Sequence, residues 1–307
     1  MNRFNQIVAA AVLFIFSTGA AYASSFSVAP EPVYKLIKTR TVKSASYTPS
    51  KPERKSSETR SAKPSHAPEG MVLIRRGSYY AGLNPRAAIN ALGKLGYHAD
   101  QEEFIYNAAP AHETLIDDFY IDKYEVTQAD FERVMWTNPS SSQNPDQPVE
   151  RVTWYEAKEY CERVGKRLPT EAEWEKAARG KLNAIYSWGN EFEDKKANFC
   201  NINCNEKWSD TRFNDQYGRL APVGSYPPNG YGLYDMAGNV WEWVADWYDK
   251  DYYQKAPRSN PKGPDHGTLK VLRGGAWSST PGTLRAAYRN RNNPSTRYIN
   301  NGFRCAL

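Results

Sequence analysis

Histidine is scarce in this chain, and its scarcity excludes several common kinds of catalytic site. The 307 residues contain four histidines, His66, His98, His112 and His266, and no two of them form an HxxxH or HExxH pair. A zinc-protease helix of the HExxH type is therefore absent. No GxSxG and no GxxxxGK[ST] motif occurs either, which excludes the nucleophile elbow of α/β-hydrolases and the P-loop of NTPases.

Long apolar runs are absent beyond the N-terminus. Arg3 precedes an apolar run over residues 7–16, and Ala-Tyr-Ala at residues 21–23 forms a small-x-small cleavage site. This order is typical of a secretory signal peptide. An uncleaved anchor is the alternative, but the run is shorter than the ~20 apolar residues of a membrane-spanning helix. We therefore predict a signal peptide over residues 1–23, no transmembrane segment after its cleavage, and a periplasmic or secreted protein.

Surplus positive charge is confined to the N-terminal part of the chain. The formal net charge is +6 at pH 7. Residues 1–70 hold ten Lys/Arg and four Asp/Glu, so the rest of the chain holds 30 of each and is neutral, which predicts no nucleic-acid partner. Residues 24–69 are rich in Pro, Ser, Lys and Arg, and we predict a disordered basic linker there. Contact with anionic lipid headgroups or cell-wall polymers and a role as a solvated spacer are both open.

Cysteine is also rare, with only Cys161, Cys200, Cys204 and Cys305. An even number in an exported chain favours disulfide bonds. Three residues separate Cys200 from Cys204, so this pair is not the CxxC motif of redox proteins. A local disulfide is the first interpretation of that pair. A zinc half-site is the alternative, but no Cys or His lies near enough in sequence to complete it.

The middle of the chain contains three helix-start signals of one kind. Thr127, Thr153 and Thr170 each precede a helical pattern, and a glutamate follows the second and the third threonine after three residues. These two arrangements are capping boxes, in which a hydroxyl and a carboxylate accept hydrogen bonds from free amides of the first turn. In the second helix Cys161 falls on the apolar face and points toward a core. Residues 83–113, by contrast, resemble an irregular insertion.

Beyond Gly180 the helical periodicity ends and aromatic residues become dense. The chain has nine Trp and 21 Tyr, and aromatic residues held in loops can build a core with little regular structure. Oxygen-bearing side chains lie along one irregular loop, namely Asp235, Asn239, Glu242 and Asp246. Such a set suits Ca²⁺, which prefers six to eight oxygen ligands. The alternative is that these acids cap turns while the tryptophans fill the core.

Seven motifs occur in a fixed order and together carry a family resemblance. They are PVERVTWYEAKEYCERVGKRLPTEAEWEKAARG, YSWGN, ANFC, APVGSYPPNGYGLYDMAGNVWEW, NPKGP, RGGAW and GFRCA. From about residue 71 to residue 307 the chain resembles the formylglycine-generating enzyme (sulfatase-modifying factor) family. The resemblance implies an α+β fold, in which a single domain over residues 70–307 is related to the C-type-lectin fold and has little regular secondary structure.

The resemblance also implies two structural calcium sites and one long-range disulfide. The first site would take its ligands from the Asn198 side chain, the Phe199 carbonyl, Asp215 and the Tyr217 carbonyl. The second would use Asp235, the Gly238 and Val240 carbonyls, and Glu242. The disulfide that the resemblance implies joins Cys161 to Cys305.

The residues that would bind copper in this family are missing. The family's oxidases bind Cu(I), the substrate thiol and O₂ through two cysteines shortly after a Gly-Gly-Ser motif. The corresponding residues 278–284, SSTPGTL, include no Cys, Met or His, and Ala276 stands in place of the family's serine. Hydroxyls cannot replace soft thiolate ligands of Cu(I). We therefore expect no copper and no formylglycine-generating activity; use of Cys200 and Cys204 instead would require both thiols to be free.

A run of arginines and aromatic residues near this stretch is a candidate binding wall. Its members are Arg273, Trp277, Arg285, Tyr288, Arg289 and Arg291, with Arg297 beyond them. Guanidinium groups bind carboxylates, phosphates and sulfates bidentately, so we predict that these residues line a cleft. The alternative is that individual arginines pair with carboxylates inside a loop-rich fold and that Trp277 belongs to the core.

Two functions follow from these features. The first is an exported binding or accessory protein of the cell envelope, whose partner is a protein, peptide or glycan in the periplasm. The second is an oxidoreductase of the pyoverdine-maturation type, which the resemblance suggests would act on a peptide-derived substrate without copper. For the second function the candidate bases are Glu242 and Tyr288. The catalytic residues of such an enzyme are not determined by the sequence.

Overall fold

The computed structural model describes residues 67–97 and 105–307; the predicted signal peptide and residues 24–66 of the predicted linker lie outside them. The α-helices are α1 (Pro85–Lys94), α2 (Gln128–Met135), α3 (Trp154–Arg163) and α4 (Glu171–Arg179). The strands are β1 (Met71–Ile74), β2 (Gly77–Ala81), β3 (His112–Ile116), β4 (Phe119–Asp122), β5 (Trp241–Trp247), β6 (Lys270–Arg273), β7 (Asn290–Asn292) and β8 (Asn301–Gly302). Residues 183–240 contain neither an α-helix nor a strand, so the predicted α+β fold with little regular structure is confirmed.

The largest sheet in the described residues has four strands in the order β7-β6-β5-β8. Strand β6 pairs antiparallel with β5 and β7, while β8 pairs with β5 in parallel. Strands β1 and β4, and strands β2 and β3, form separate antiparallel pairs. All of β6 is buried although it begins with Lys270 and ends with Arg273. Because buried charges are costly without partners, both side chains must find them inside the fold.

The helix ends follow the signals in the sequence. The hydroxyls of Thr127, Thr153 and Thr170 each accept a hydrogen bond from the first turn of the helix that follows. Both predicted capping boxes, at the starts of α3 and α4, are present. An N-cap contributes about 1 kcal/mol of stability, so these contacts help to fix where short helices begin.

Two hydrophobic clusters pack around the four-stranded sheet. One contains Trp174 of α4 with residues of β5 and β6, and the other contains Trp243 of β5 with Phe303 and the apolar face of α3. The disulfide between Cys161 and Cys305 links α3 to the C-terminal segment. The disulfide between Cys200 and Cys204 closes a local loop. Both predicted pairings are therefore present.

Candidate functional site

Two arginines of the predicted wall lie in the interior rather than in a cleft. Arg273 and Arg289 are each 0% exposed. Arg289 Nε and Nη2 donate to the Glu171 carboxylate at 2.7 and 2.9 Å, and Arg273 Nη2 donates to Glu175 Oε2 at 2.8 Å. Glu171 and Glu175 are four residues apart on α4 and thus share one face of the helix. The prediction that Arg273 and Arg289 line a cleft is wrong, because their guanidinium groups neutralise two buried carboxylates.

Further groups complete this buried network. Arg179 Nε donates to Glu175 Oε1 at 2.8 Å, and the Tyr253 hydroxyl donates to Glu175 Oε2 at 3.0 Å. Burial raises the pKa of Glu175, but Arg179 and Arg273 outweigh that effect and hold the pKa below its usual value. The carboxylate is therefore kept ionised in the interior, where it stabilises the guanidinium groups around it.

Three other members of the wall are also buried. Arg285, Tyr288 and Trp277 expose little surface, and Arg285 Nε donates to the Gly282 carbonyl at 2.8 Å. Burial raises the pKa of Tyr288 to about 12, so its hydroxyl is not poised to act as a base near neutral pH. Trp277 packs with the Cys200–Cys204 disulfide. Arg285, Tyr288 and Trp277 therefore belong to the interior and do not line an open cleft, contrary to the prediction.

The remaining two arginines lie nearer the surface but on different parts of it. The Arg291 guanidinium is 5.0 Å from the centre of the Tyr248 ring and contributes to a cleft of about 980 Å³. Arg297 Nη2 donates to Glu156 Oε1 at 2.6 Å at the start of α3. The structure therefore separates the members of the predicted wall into an interior network, a cleft residue and a surface ion pair.

Ser278 is the first residue of the stretch that the resemblance aligns with the family's copper ligands, and it is held through its backbone carbonyl and its hydroxyl. The Ser278 carbonyl accepts a hydrogen bond from Trp208 Nε1 at 2.8 Å, and its hydroxyl accepts one from Asn300 Nδ2 at 2.9 Å. The Trp277 indole donates to the Ile299 carbonyl at 3.2 Å. Trp208 is 52% exposed, and Ile299 is exposed as well. We call Trp208, Ser278, Ile299 and Asn300 the Ser278 surface.

No thiol is available at the Ser278 surface. Residues 278–284 contain no cysteine, and all four cysteines of the chain are disulfide-bonded. The Ser279 carbonyl instead accepts a hydrogen bond from the Cys200 amide at 2.9 Å, which places the local disulfide directly behind the loop. Cys200 and Cys204 are therefore structural here, and the alternative that they replace the missing copper ligands lacks its free thiols.

The first predicted calcium set contains a buried oxygen that the protein leaves without a partner. Asn198 Oδ1 is buried and accepts no hydrogen bond, while Asn198 Nδ2 donates to the Arg219 carbonyl. Asp215 is buried too, and its carboxylate accepts hydrogen bonds from the amides of Phe199 and Tyr217. Burial raises the pKa of Asp215. A hard cation bound by these oxygens would satisfy Asn198 and neutralise Asp215, so the residues fit Ca²⁺.

The second predicted set lies where buried carboxylates outnumber cations. Glu242 is bound by Arg304 through Nε and Nη2, both at 2.8 Å, and by the indole of Trp174. Burial raises the pKa of Asp235 to about 6, and Glu242 adds to the shift. The pKa of Glu125 is raised by burial and by the charges of Asp235 and Glu242. One arginine thus faces three acids, and a bound cation would offset the excess.

Neither set consists of acidic side chains alone. In the part of the chain that the structure describes, no group of three or more His, Cys, Asp or Glu side chains converges to hold a metal ion. Backbone carbonyls and the Asn198 amide would have to supply ligands, as the resemblance implies and as Ca²⁺ accepts.

Sequence reasoning missed two groups of residues in and around these sites. Glu171 and Glu175 were not paired with the arginines, although their spacing on a capped helix places them on one side of it. Trp208 and Asn300 lie outside every motif of the family and carried no signal.

No helix among the described residues has the length and apolar character needed to cross a bilayer.

Known proteins resemble this chain over most of its folded part. A family profile described as the sulfatase-modifying factor enzyme 1-like domain matches residues 56–307. The serine/threonine-protein kinase pkn1 of Chlamydia pneumoniae is 49% identical over 162 residues, which are 52% of this chain and 24% of the relative. The formylglycine-generating enzyme of Thermomonospora curvata is 44% identical over 179 residues, covering 54% of this chain and 57% of the relative. The inactive C-alpha-formylglycine-generating enzyme 2 of Bos taurus is 37% identical over 192 residues, which cover 57% of this chain and 56% of the relative.

Solved structures share the fold. PvdO from Pseudomonas aeruginosa matches with a TM-score of 0.61 and 27% identity, covering 77% of this chain and 93% of PvdO. Treponema denticola variable protein 1 matches with a TM-score of 0.61 and 25% identity, covering 77% and 94%. The chain covers less than two thirds of the length of each of the three sequence relatives above. The profile match spans most of the chain, and the chain therefore belongs to the sulfatase-modifying factor family of formylglycine-generating enzyme-like proteins.

Proposed function

We propose that this protein is an exported binding or accessory protein of the cell envelope that does not generate formylglycine. The observation that carries the proposal is the absence of a free thiol at residues 278–284 combined with the engagement of all four cysteines in disulfides. A Cu(I) site of the family's kind needs two thiolates, which these residues do not supply. The family includes a relative whose name describes it as inactive, which supports a non-oxidase role.

The Ser278 surface is the part of the protein that we assign to the partner, a peptide or a segment of another protein. Trp208 and Ile299 expose large apolar side chains there, and Arg219 lies exposed with its guanidinium 5.2 Å from the Trp277 ring. An exposed aromatic and an exposed aliphatic side chain with an arginine in the same region are typical of protein-recognition surfaces. The backbone contacts to Ser278 hold these groups in place before a partner binds, which lowers the entropic cost of binding.

Export is supported by the N-terminal sequence and by the disulfides. Residues 1–23 have the order of a signal peptide, and disulfides persist in oxidising compartments such as the periplasm. Periplasmic or secreted localisation follows from this proposal. Fractionation of cells that express the full chain, with N-terminal sequencing of the product, tests it; an intact N-terminus in the cytoplasmic fraction contradicts it.

The binding function is tested with peptides displayed on phage and selected against the full chain after signal cleavage. Peptides that bind through the Ser278 surface should lose about tenfold in affinity when Trp208→Ala removes the central aromatic side chain. Tyr155→Ala, an equally exposed aromatic on α3, is the matched control. If no peptide is enriched, or if both variants weaken binding equally, the assignment of the Ser278 surface is wrong. Appearance of an aldehyde on a cysteine-containing sulfatase peptide with stoichiometric Cu(I) uptake contradicts the non-oxidase proposal.

The second candidate is an oxidoreductase of the pyoverdine-maturation type that acts on a peptide-derived substrate without copper. The likeness to PvdO favours it. The two bases considered for it are both buried, because Glu242 is bound by Arg304 and Tyr288 lies behind the loop. If the protein consumes oxygen with a catechol-containing peptide and loses this activity on heating, the result would favour the oxidoreductase over the binding protein. If no oxygen is consumed with any member of a broad substrate panel, the oxidoreductase proposal is wrong.

We further propose structural calcium at both predicted sets. The unpartnered Asn198 Oδ1 supports the first, and the excess of carboxylates around Arg304 supports the second. When bound, calcium would fix the loops of residues 198–242, which include Trp208 of the Ser278 surface. Equilibrium dialysis of the full chain against calcium, followed by metal analysis, tests the stoichiometry of two.

A further inference from the structure

A second potential ligand site lies apart from the Ser278 surface, at the other end of strand β6. The cleft of about 980 Å³ is formed where β5 ends and β6 begins, and Tyr248, Leu269 and Arg291 of β7 line this side. Residues 106, 107, 109 and 110 line the cleft as well. None of the four residues of the Ser278 surface lines the cleft. Its volume is at the upper end of the ~300–1,000 Å³ typical of small-ligand sites, which suits an elongated ligand.

Asn107, one of the residues that line this cleft, carries a buried hydrogen-bond acceptor that has no partner within the protein. Asn107 is only 6% exposed and lines the cleft. Its Nδ2 donates to the Arg289 carbonyl at 2.6 Å, but its Oδ1 accepts no hydrogen bond. A buried acceptor without a partner is unfavourable, because burial has removed its hydrogen bonds to water. A ligand that donates an O–H or N–H to Asn107 would restore such a hydrogen bond.

The charges that line the cleft are already compensated. Asp249 forms an ion pair with Lys255 at 2.7 Å, and Lys250 lies 3.8 Å from Asp251. The Arg291 guanidinium rests on the Tyr248 ring. Two acids and two bases therefore line the cleft without a net charge. A ligand with no net charge fits this balance better than an anion or a cation.

The rest of the lining comprises one exposed aromatic ring, uncharged polar groups and the apolar residues Pro85, Ala109, Pro110 and Leu269. Tyr106 is 53% exposed at the rim, and Gln254 and Thr268 offer an amide and a hydroxyl. Sugar rings present C–H groups on their faces, which pack against aromatic rings, and hydroxyls on their edges, which pair with amides and hydroxyls. We propose that the cleft walled by Tyr106, Asn107 and Gln254 binds a neutral oligosaccharide, with Tyr106 as the stacking platform and Asn107 Oδ1 as an acceptor.

Isothermal titration calorimetry with the full chain tests the proposal. The probes are the neutral tetrasaccharides chitotetraose, cellotetraose and maltotetraose, with tetragalacturonate as an anionic probe and tetra-alanine as a peptide probe. At least one neutral tetrasaccharide should bind saturably at millimolar concentration. Tyr106→Ala should weaken this binding by about fivefold, since stacking on one aromatic ring contributes about 1 kcal/mol. Gln254→Ala should weaken it less.

The controls separate loss of the site from loss of the fold. Both substituted side chains are exposed, so the melting temperatures of the variants should match that of the parent chain. Tyr155→Ala removes a comparably exposed tyrosine outside the cleft and should leave saccharide affinity unchanged. The proposal is overturned if no neutral tetrasaccharide binds, if only the anionic or the peptide probe binds, or if Tyr106→Ala and Tyr155→Ala have the same effect.

Discussion

Neutralising Glu171 should destabilise the protein far more than neutralising a surface glutamate. In Glu171→Gln the side chain keeps its shape but loses the charge that two buried guanidinium groups share. Arg289 would keep a neutral acceptor at position 171, the Asn107 and Asp249 carbonyls at 3.4 and 3.1 Å and the Tyr253 ring at 4.3 Å, but no carboxylate. Removing one member of a buried ion pair leaves the other charge uncompensated and costs about 3–5 kcal/mol.

The matched control is Glu162→Gln on α3. Glu162 pairs with Lys158 at 2.5 Å, but these side chains are about half exposed, at 56% and 46%. Exposed helix pairs of this spacing contribute about 0.3–0.5 kcal/mol because solvent screens them. Urea unfolding of both variants, followed by tryptophan fluorescence with the disulfides intact, measures the two costs under one set of conditions.

The double variant Glu171→Gln/Arg289→Met distinguishes a paired charge from a merely buried residue. If the two side chains act as a pair, removing both should cost less than the sum of the single losses, by about 1–3 kcal/mol. A loss for Glu171→Gln as small as that for Glu162→Gln would refute the reasoning. In that case Arg289 would not need Glu171, and its assignment to the interior network rather than to a ligand would lose its physical basis.

Three further predictions concern the disulfide, calcium and pH. Replacing Cys161 and Cys305 by Ser removes the disulfide between residues that are 144 positions apart in sequence. In the chain-entropy model this should lower the free energy of unfolding by about 5 kcal/mol, which the same urea titration measures. A calcium chelator should lower the melting temperature of the parent chain, because a ligand that binds only the folded state stabilises it by about 2.7 kcal/mol at a hundredfold excess over Kd. The chelator should lower the melting temperature of Asp215→Asn by a smaller amount. Equal shifts for the two proteins would exclude Asp215 as a ligand. Burial and Glu171 raise the pKa of Asp246 from 3.8 to about 8, so the unfolded chain releases this proton first and stability should fall as pH rises from 4 to 8. Asp246→Asn should flatten that pH dependence and raise stability at pH 7 by about 1–4 kcal/mol; an unchanged pH profile would contradict the burial of this carboxyl group.

Local signals in the sequence were sufficient for the helices of the middle region. Thr153 and Thr170 with their glutamates define the starts of α3 and α4 because a capping box involves only residues within one turn. Helix α1 was missed within the segment predicted to be irregular. Asn84 accepts a hydrogen bond from the Arg86 amide and Pro85 occupies the first turn, which together are a start signal. Ala87 stands where a capping box has its glutamate, so the pattern that marks the starts of α3 and α4 is absent from α1.

The arginines illustrate what local patterns could not decide. From sequence, Arg273 and Arg289 are equivalent to Arg291, since each stands among aromatic and small residues. Their outcomes differ because α4 packs against the four-stranded sheet and brings Glu171 and Glu175 to two of them. That contact joins residues about a hundred positions apart, so it depends on tertiary packing and leaves no trace in spacing. The same holds for Trp208, whose contact with Ser278 spans 70 positions.

The Ser278 surface shows how this fold can keep its shape while its chemistry changes. The loop is fixed through the carbonyls of Ser278 and Ser279, which bond to Trp208 and to the Cys200 amide. Because backbone atoms make these two contacts, the contacts do not depend on which side chains stand at positions 278 and 279. The absence of thiolates from residues 278–284 therefore need not disturb the buried network of Glu171 and Arg289, which stabilises the interior of the domain. Membership of the family accordingly determines the architecture, while the partner that we propose would be selected by the few exposed side chains that this architecture presents.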